Sequence, residues 1–116
     1  MINLKGNEHL LDAVLEYCDD IITVKDLNLN YVAYNKAFLK ILNKSLNTDI
    51  TGKSVCEVLP QSCVETMVTN AKRVIEELRP LSYTLILDMN GTTRIIKQTT
   101  TPIIRNGIVE NILTVL

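Results

Sequence analysis

The chain has 116 residues, 47% hydrophobic and 22% charged, with a net charge of −1. This is the size and make-up of one globular domain, able to bury roughly two-thirds of its unfolded surface without a disulfide or metal. Mixed charges and few aromatics exclude a nucleic-acid footprint, three cysteines without a C-x-x-C exclude a zinc site or disulfide framework, and no apolar run reaches the roughly 18 residues of a membrane span.

In chain order, "NEHLLDAVLEYC" sets Leu10, Leu11, Val14 and Leu15 at helical spacing behind Asn7 as N-cap. Residues 1–18 read as an amphipathic helix outside the core, and 19–116 as the core domain. "DIITVKD" is a short β-branched strand, "DLNLN" a turn-rich link, and "YVAY" a second strand. Asn35 then caps a helix whose apolar face is Ala37, Phe38, Ile41 and Leu42, and Asp at 35 should cap equally well. "LNTDITGKS" breaks that helix, with Gly52 as the residue that takes a special backbone angle. "SVCEVLP" is a short helical turn stopped by Pro60. The longest helix follows, with Val64, Met67, Val68, Ala71, Val74, Ile75 and Leu78 on one face, and ends before Pro80. The last third is β, with hairpins at Asn90-Gly91 and Asn106-Gly107.

Strands joined by tight turns pair antiparallel, so the first two must join the last three in a five-stranded antiparallel sheet. The helical segments between them must cover one face, which makes the fold class α+β. Closing the first late hairpin on Asn90-Gly91 pairs Met89 with Thr92, Leu85 with Ile96 and Tyr83 with Gln98. The face with Leu85, Leu87 and Ile96 is the more apolar and turns to the helices, while Lys97 turns to solvent. That inner face also carries Tyr83, Gln98 and Thr100. A buried glutamine needs partners for its amide, and side chains, water or a ligand can supply them.

The segments "IITVKDLNLNYVAYNKAF", "ITGKSVCEVLP" and "NGTTRIIKQTTTPIIRNGIV", in this order and spacing, resemble a PAS domain over nearly the whole chain. The resemblance implies a sensor or protein-interaction module of the kind found in sensor kinases, diguanylate cyclases and transcription regulators. It also implies that Asp26 ends the first strand and holds the following turn through carboxylate-to-backbone hydrogen bonds. Haem-binding members use a histidine on the long helix, and this helix has none; the chain's one histidine is His9. Flavin-binding members carry Gly-x-x-Cys before that helix. Here "GKSVCEVLP" puts Cys56 one position late, turned about 100° on a helix, with Glu57 in place of the expected arginine. Neither cofactor is expected, and no metal. A single terminal histidine leaves no catalytic triad, so the chain is not expected to be an enzyme.

The resulting expectation is a cytoplasmic sensor domain cut from a larger signalling protein. A small metabolite would sit against Tyr83, Gln98 and Thr100 on the polar side and Phe38, Met67 and Ala71 on the apolar side, with Arg94 at the rim. The signal would leave through the last strand to an output domain after Leu116. The stripe of the first helix would pack on the outer sheet face near Ile95 or pair with a second copy, and a homodimer through both surfaces is expected. The alternative is a PAS module that dimerises without a ligand. Neither nucleic acid nor membrane is an expected partner.

Overall fold

The computed structural model describes residues 8–89 and 91–116, with side chains from residue 13 onward. The Asn7 cap, the Asn90 turn position and the side chains of Leu10 and Leu11 lie outside these residues. The elements run α1 (Glu8–Tyr17), β1 (Ile22–Lys25), β2 (Tyr31–Tyr34), α2 (Lys36–Ile41), α3 (Val55–Val58), α4 (Gln61–Glu77), β3 (Leu81–Met89), β4 (Thr92–Arg105) and β5 (Ile108–Val115). The five strands form one antiparallel sheet in the order β2-β1-β5-β4-β3.

The β3–β4 register is the expected one, with Met89 opposite Thr92, Leu85 opposite Ile96 and Tyr83 opposite Gln98. Leu85 and Leu87 are buried against α4 and its neighbours, in a core with Tyr31, Phe38, Leu42, Ile50, Val55, Cys63 and Met67. Lys97 is exposed on the other face. The second hairpin turns on Asn106 and Gly107, both at positive φ (53° and 77°), the left-handed pair that matches the twist of the flanking strands. Further along this pair the register slips by one residue between Ile103 and Ile104. Ile103 faces Asn111 while Ile104 faces Val109, so β5 carries a bulge.

Two polar residues fix the first strands, one in the turn between them and one at the start of α2. Asp26 Oδ1 accepts from the Asn28 and Asn30 backbone N–H groups, both at 2.9 Å, and Oδ2 accepts from Asn30 Nδ2 at 3.2 Å. This is the turn-holding role anticipated for it. Asn35 Oδ1 accepts from Phe38 N at 3.3 Å, the expected cap of α2. It also accepts from Ile22 N at 3.2 Å, while Asn35 Nδ2 donates to the Asp20 carbonyl at 2.6 Å. Asn35 therefore clamps the start of β1 as well as capping α2. Asp is not an equal substitute, because a carboxylate cannot make the bond to Asp20.

Ser54 and Glu57 form a capping box that opens α3. At the far end of α4, Leu78 takes the left-handed C-cap conformation (φ 57°) and its N–H reaches Val74 O at 3.0 Å. Among the described residues, the outer sheet face is left open at its β3–β4 end. Ile95 is 77% exposed there and Ile86, opposite it on β3, is also exposed. Lys36 of α2 meets Glu16 of α1 at 2.8 Å.

Candidate functional site

The inner face of the sheet carries a continuous buried polar network. Gln98 Nε2 lies 2.5 Å from Tyr83 Oη and 3.1 Å from Met67 Sδ. Tyr83 Oη is 3.4 Å from Thr100 Oγ1, and Thr100 Oγ1 is 3.3 Å from Thr114 Oγ1. Lys25 Nζ donates to Thr114 Oγ1 at 3.3 Å and to Thr23 Oγ1 at 3.1 Å. The network thus crosses β3, β4, β5 and β1. Thr100, Thr114 and Thr23 lie side by side on neighbouring strands, through the pairings Thr100 with Thr114 and Thr114 with Thr23.

Lys25 is 2% exposed, and its ammonium sits 5.4 Å from the centroid of the Tyr31 ring. Among the described residues no carboxylate pairs with it. Burial lowers its pKa from 10.5 to about 8, because the apolar surroundings penalise the charged form. Tyr31 is 1% exposed, and its hydroxyl has no hydrogen-bond partner among the described residues. Burial pushes that phenol upward, with Cys63 and Tyr83 as its titratable neighbours.

Between the network and the helices lies a cavity of about 20 Å³. That holds roughly one water molecule. Thr23, Tyr31, Gln98 and Thr114 form its polar wall, and Phe38, Leu42, Leu59, Met67, Leu85 and Ile96 are among its apolar lining. A larger occupant would displace flexible lining such as Met67, the side chain best able to repack.

Of the residues anticipated from sequence, Gln98, Phe38 and Met67 line this cavity. Tyr83 and Thr100 stand behind Gln98 and hydrogen-bond into the same network. Arg94 is exposed and borders a separate surface depression with Asp19, Ala37, Lys40 and Ile41; it does not line the cavity. The placement of Ala71 must be corrected. One helical turn beyond Met67, about 6 Å along the axis, it faces a separate surface groove with Leu29, Val55, Cys56, Val68 and Ile75. Lys25, Thr23, Thr114 and Tyr31 were not anticipated. Their signal was the shared parity of Thr23 and Lys25 on one strand, which puts both on one face.

Cys56 is exposed and opens on the outer groove, away from the cavity. Cys63 is buried and its thiol donates to Pro60 O at 3.2 Å. Among the described residues no cluster of metal-ligating side chains occurs, and no helix is long and apolar enough to cross a membrane.

Comparison with known proteins places this architecture. The solved PAS domain of Bordetella pertussis BvgS superposes with a TM-score of 0.75 at 19% identity, covering 94% of this chain and 83% of that one. The PAS domain of nitrogen regulation protein NR(II) from Vibrio parahaemolyticus gives 0.69 at 16% identity, covering 92% and 96%. VqmA, solved bound to DPO, gives 0.78 at 19% identity, covering 92% of this chain and 56% of that one. No curated protein matches the chain in sequence. The family described as the PAS fold matches residues 15–116. With that match over nearly its whole length and the sheet order and helices described above, the chain belongs to the PAS family.

Proposed function

We propose that this PAS domain is a ligand-sensing module that holds a small metabolite between its sheet and its helices. The observation that carries this reading is the polar wall of the cavity, where a buried tyrosine hydroxyl has no protein partner. Unpaired buried polar groups are costly, and a bound molecule is one way to satisfy them. Gln98 and Thr114 carry occupancy into the hydrogen-bonded sheet. β5 lies at the centre of that sheet and would pass the change toward an output domain following Leu116. Sensor kinases and transcription regulators are the host proteins that suit such a relay, and the cytoplasm is the compartment that suits three free thiols.

The site needs neither haem nor flavin in this reading. Cys56 opens away from the cavity and α4 has no histidine, which supports a colourless domain without enzymatic chemistry. Native mass spectrometry of the purified domain tests the proposal. A retained small molecule of constant mass supports it, and an empty domain that stays empty across metabolite extracts overturns it.

The second reading is a homodimerisation module that works without a ligand. The exposed Ile86–Ile95 pair on the outer face and exposed Val14 and Tyr17 on α1 favour it. Here α1, within residues 1–18, would be a dimer cap on the 19–116 core. The same spectra report it as a dimer mass with no bound molecule.

A further inference from the structure

The charge and hydrogen-bond arithmetic of the network restrict the ligand further, on the premise that the cavity is a ligand site. The polar wall is rich in donors. Lys25 does not itself line the cavity; it stands behind Thr23 and Thr114, which do, and gives two of its three N–H donors to their hydroxyls. Since Thr23 Oγ1 accepts from Lys25, its own hydrogen is left for another acceptor. The Tyr31 hydroxyl is unpartnered as well. Against this, Lys25 has no carboxylate partner among the described residues. A buried cation held only by hydroxyls is the arrangement expected when the counter-ion comes from outside the chain. The rest of the lining, including Phe38, Leu42, Leu59 and Leu85, is apolar, so a second charge on the ligand would find no partner.

We infer that the cavity takes a small monocarboxylate with an apolar tail, its carboxylate accepting from the Thr23 and Tyr31 hydroxyls and neutralising the Lys25 ammonium that stands behind Thr23 and Thr114. The carboxylate neutralises that buried charge and accepts the idle hydrogens. The tail enters the core side of the cavity, where Met67 gives way. Arg94 borders a separate surface depression and does not line the cavity, so it is not the anchor.

The test is titration calorimetry at neutral pH with butyrate, hexanoate, benzoate and phenylacetate, each beside its neutral primary amide. At least one acid is expected to bind about tenfold or more tightly than its amide, the scale of a buried charge-paired hydrogen bond. Lys25→Met should erase that preference. The acid-versus-amide comparison needs only the wild-type domain, so it stands even if the variant folds poorly. If amides bind as well as acids, or if acid binding survives Lys25→Met, the carboxylate inference is wrong while the sensor reading stands with a neutral ligand. If neither series binds but native spectra show another retained molecule, the inference again fails alone. If nothing binds and nothing is retained, both fail.

Discussion

Replacing Asn35 is the sharpest test of how the domain is tied together. The side chain is buried and makes three hydrogen bonds, to Phe38 N, Ile22 N and the Asp20 carbonyl. In Asn35→Ala the cap itself is partly covered, because Phe38 N also reaches the Asn35 backbone carbonyl at 3.1 Å. The larger loss falls on Ile22 N–H and Asp20 C=O, which are left without these partners. At about 1 kcal/mol for each lost bond, and somewhat more where a buried group stays unpaired, the sum is about 3 kcal/mol. For a domain of this size that is a drop of roughly 10 °C in Tm. Asn35→Asp keeps the acceptor but turns an oxygen toward the Asp20 carbonyl, so it should cost about 2 kcal/mol at neutral pH. On acidification the protonated carboxyl can donate to Asp20 and recover part of that loss. The side chain's folded pKa is then raised, so this stability is present at low pH and is lost as pH rises through it. Urea denaturation of the three proteins at two pH values measures all of this. An Asp variant as stable as wild type at neutral pH would show that the 2.6 Å bond to Asp20 carries no energy.

Four further outcomes are expected. Lys25 falls from 10.5 to about 8; the unfolded chain therefore binds the extra proton between those values, and stability rises with pH across them. At about 1.4 kcal/mol per pH unit the full gain is about 3 kcal/mol, and denaturation of wild type against Lys25→Met isolates it as a rise absent from the variant. Gln98→Leu should change stability by no more than about 1 kcal/mol, because Tyr83 Oη keeps Thr100 and Met67 as partners; it should also abolish ligand retention in native spectra, and retention would remove Gln98 from the site. Leu78→Gly should raise stability by roughly 0.5–1 kcal/mol by relieving the left-handed C-cap, measured as a shift in the urea midpoint. Absorption spectra after incubation with haem or flavin should show no bound chromophore, and stoichiometric uptake of either would overturn the assignment of Cys56 and α4.

Much of this architecture was legible in the sequence because its signals are local. An Asn-Gly turn sets the register of its own hairpin, and a period of two then assigns every side chain of β3 and half of β4 to a face. Gln98 was placed on the inner face by that reasoning alone. Lys25 was not, because β1 is only four residues long and a lysine at its end looks like a solvent-facing edge. What buries it is pairing with β5, almost the whole chain away. The Thr100–Thr114 contact was hidden for a different reason. Counting back from Asn106-Gly107 without interruption sets Thr100 opposite Leu113, which would turn Leu113 inward and Thr114 to the outer face. The bulge beside Ile103 and Ile104 moves the pairing by one and brings Thr114 inward instead. Nothing in the residues around Glu110 announces the bulge.

The pairing of β1 with β5 also shapes how the domain assembles. No turn joins these strands; Ile22–Lys25 must find Ile112–Val115 after everything between them has been made. The last bond of this seam runs from Leu116 N to Ile21 O at 2.9 Å. Closing so long a loop carries an entropy cost that local contacts do not, so the seam is expected to form last, after the rate-limiting step. The Lys25–Thr114 bond lies across that seam. An occupant that bridges it would act as a clasp on the last contact to form, one absent from the transition state, lengthening the native lifetime by slowing unfolding while leaving the folding rate unchanged.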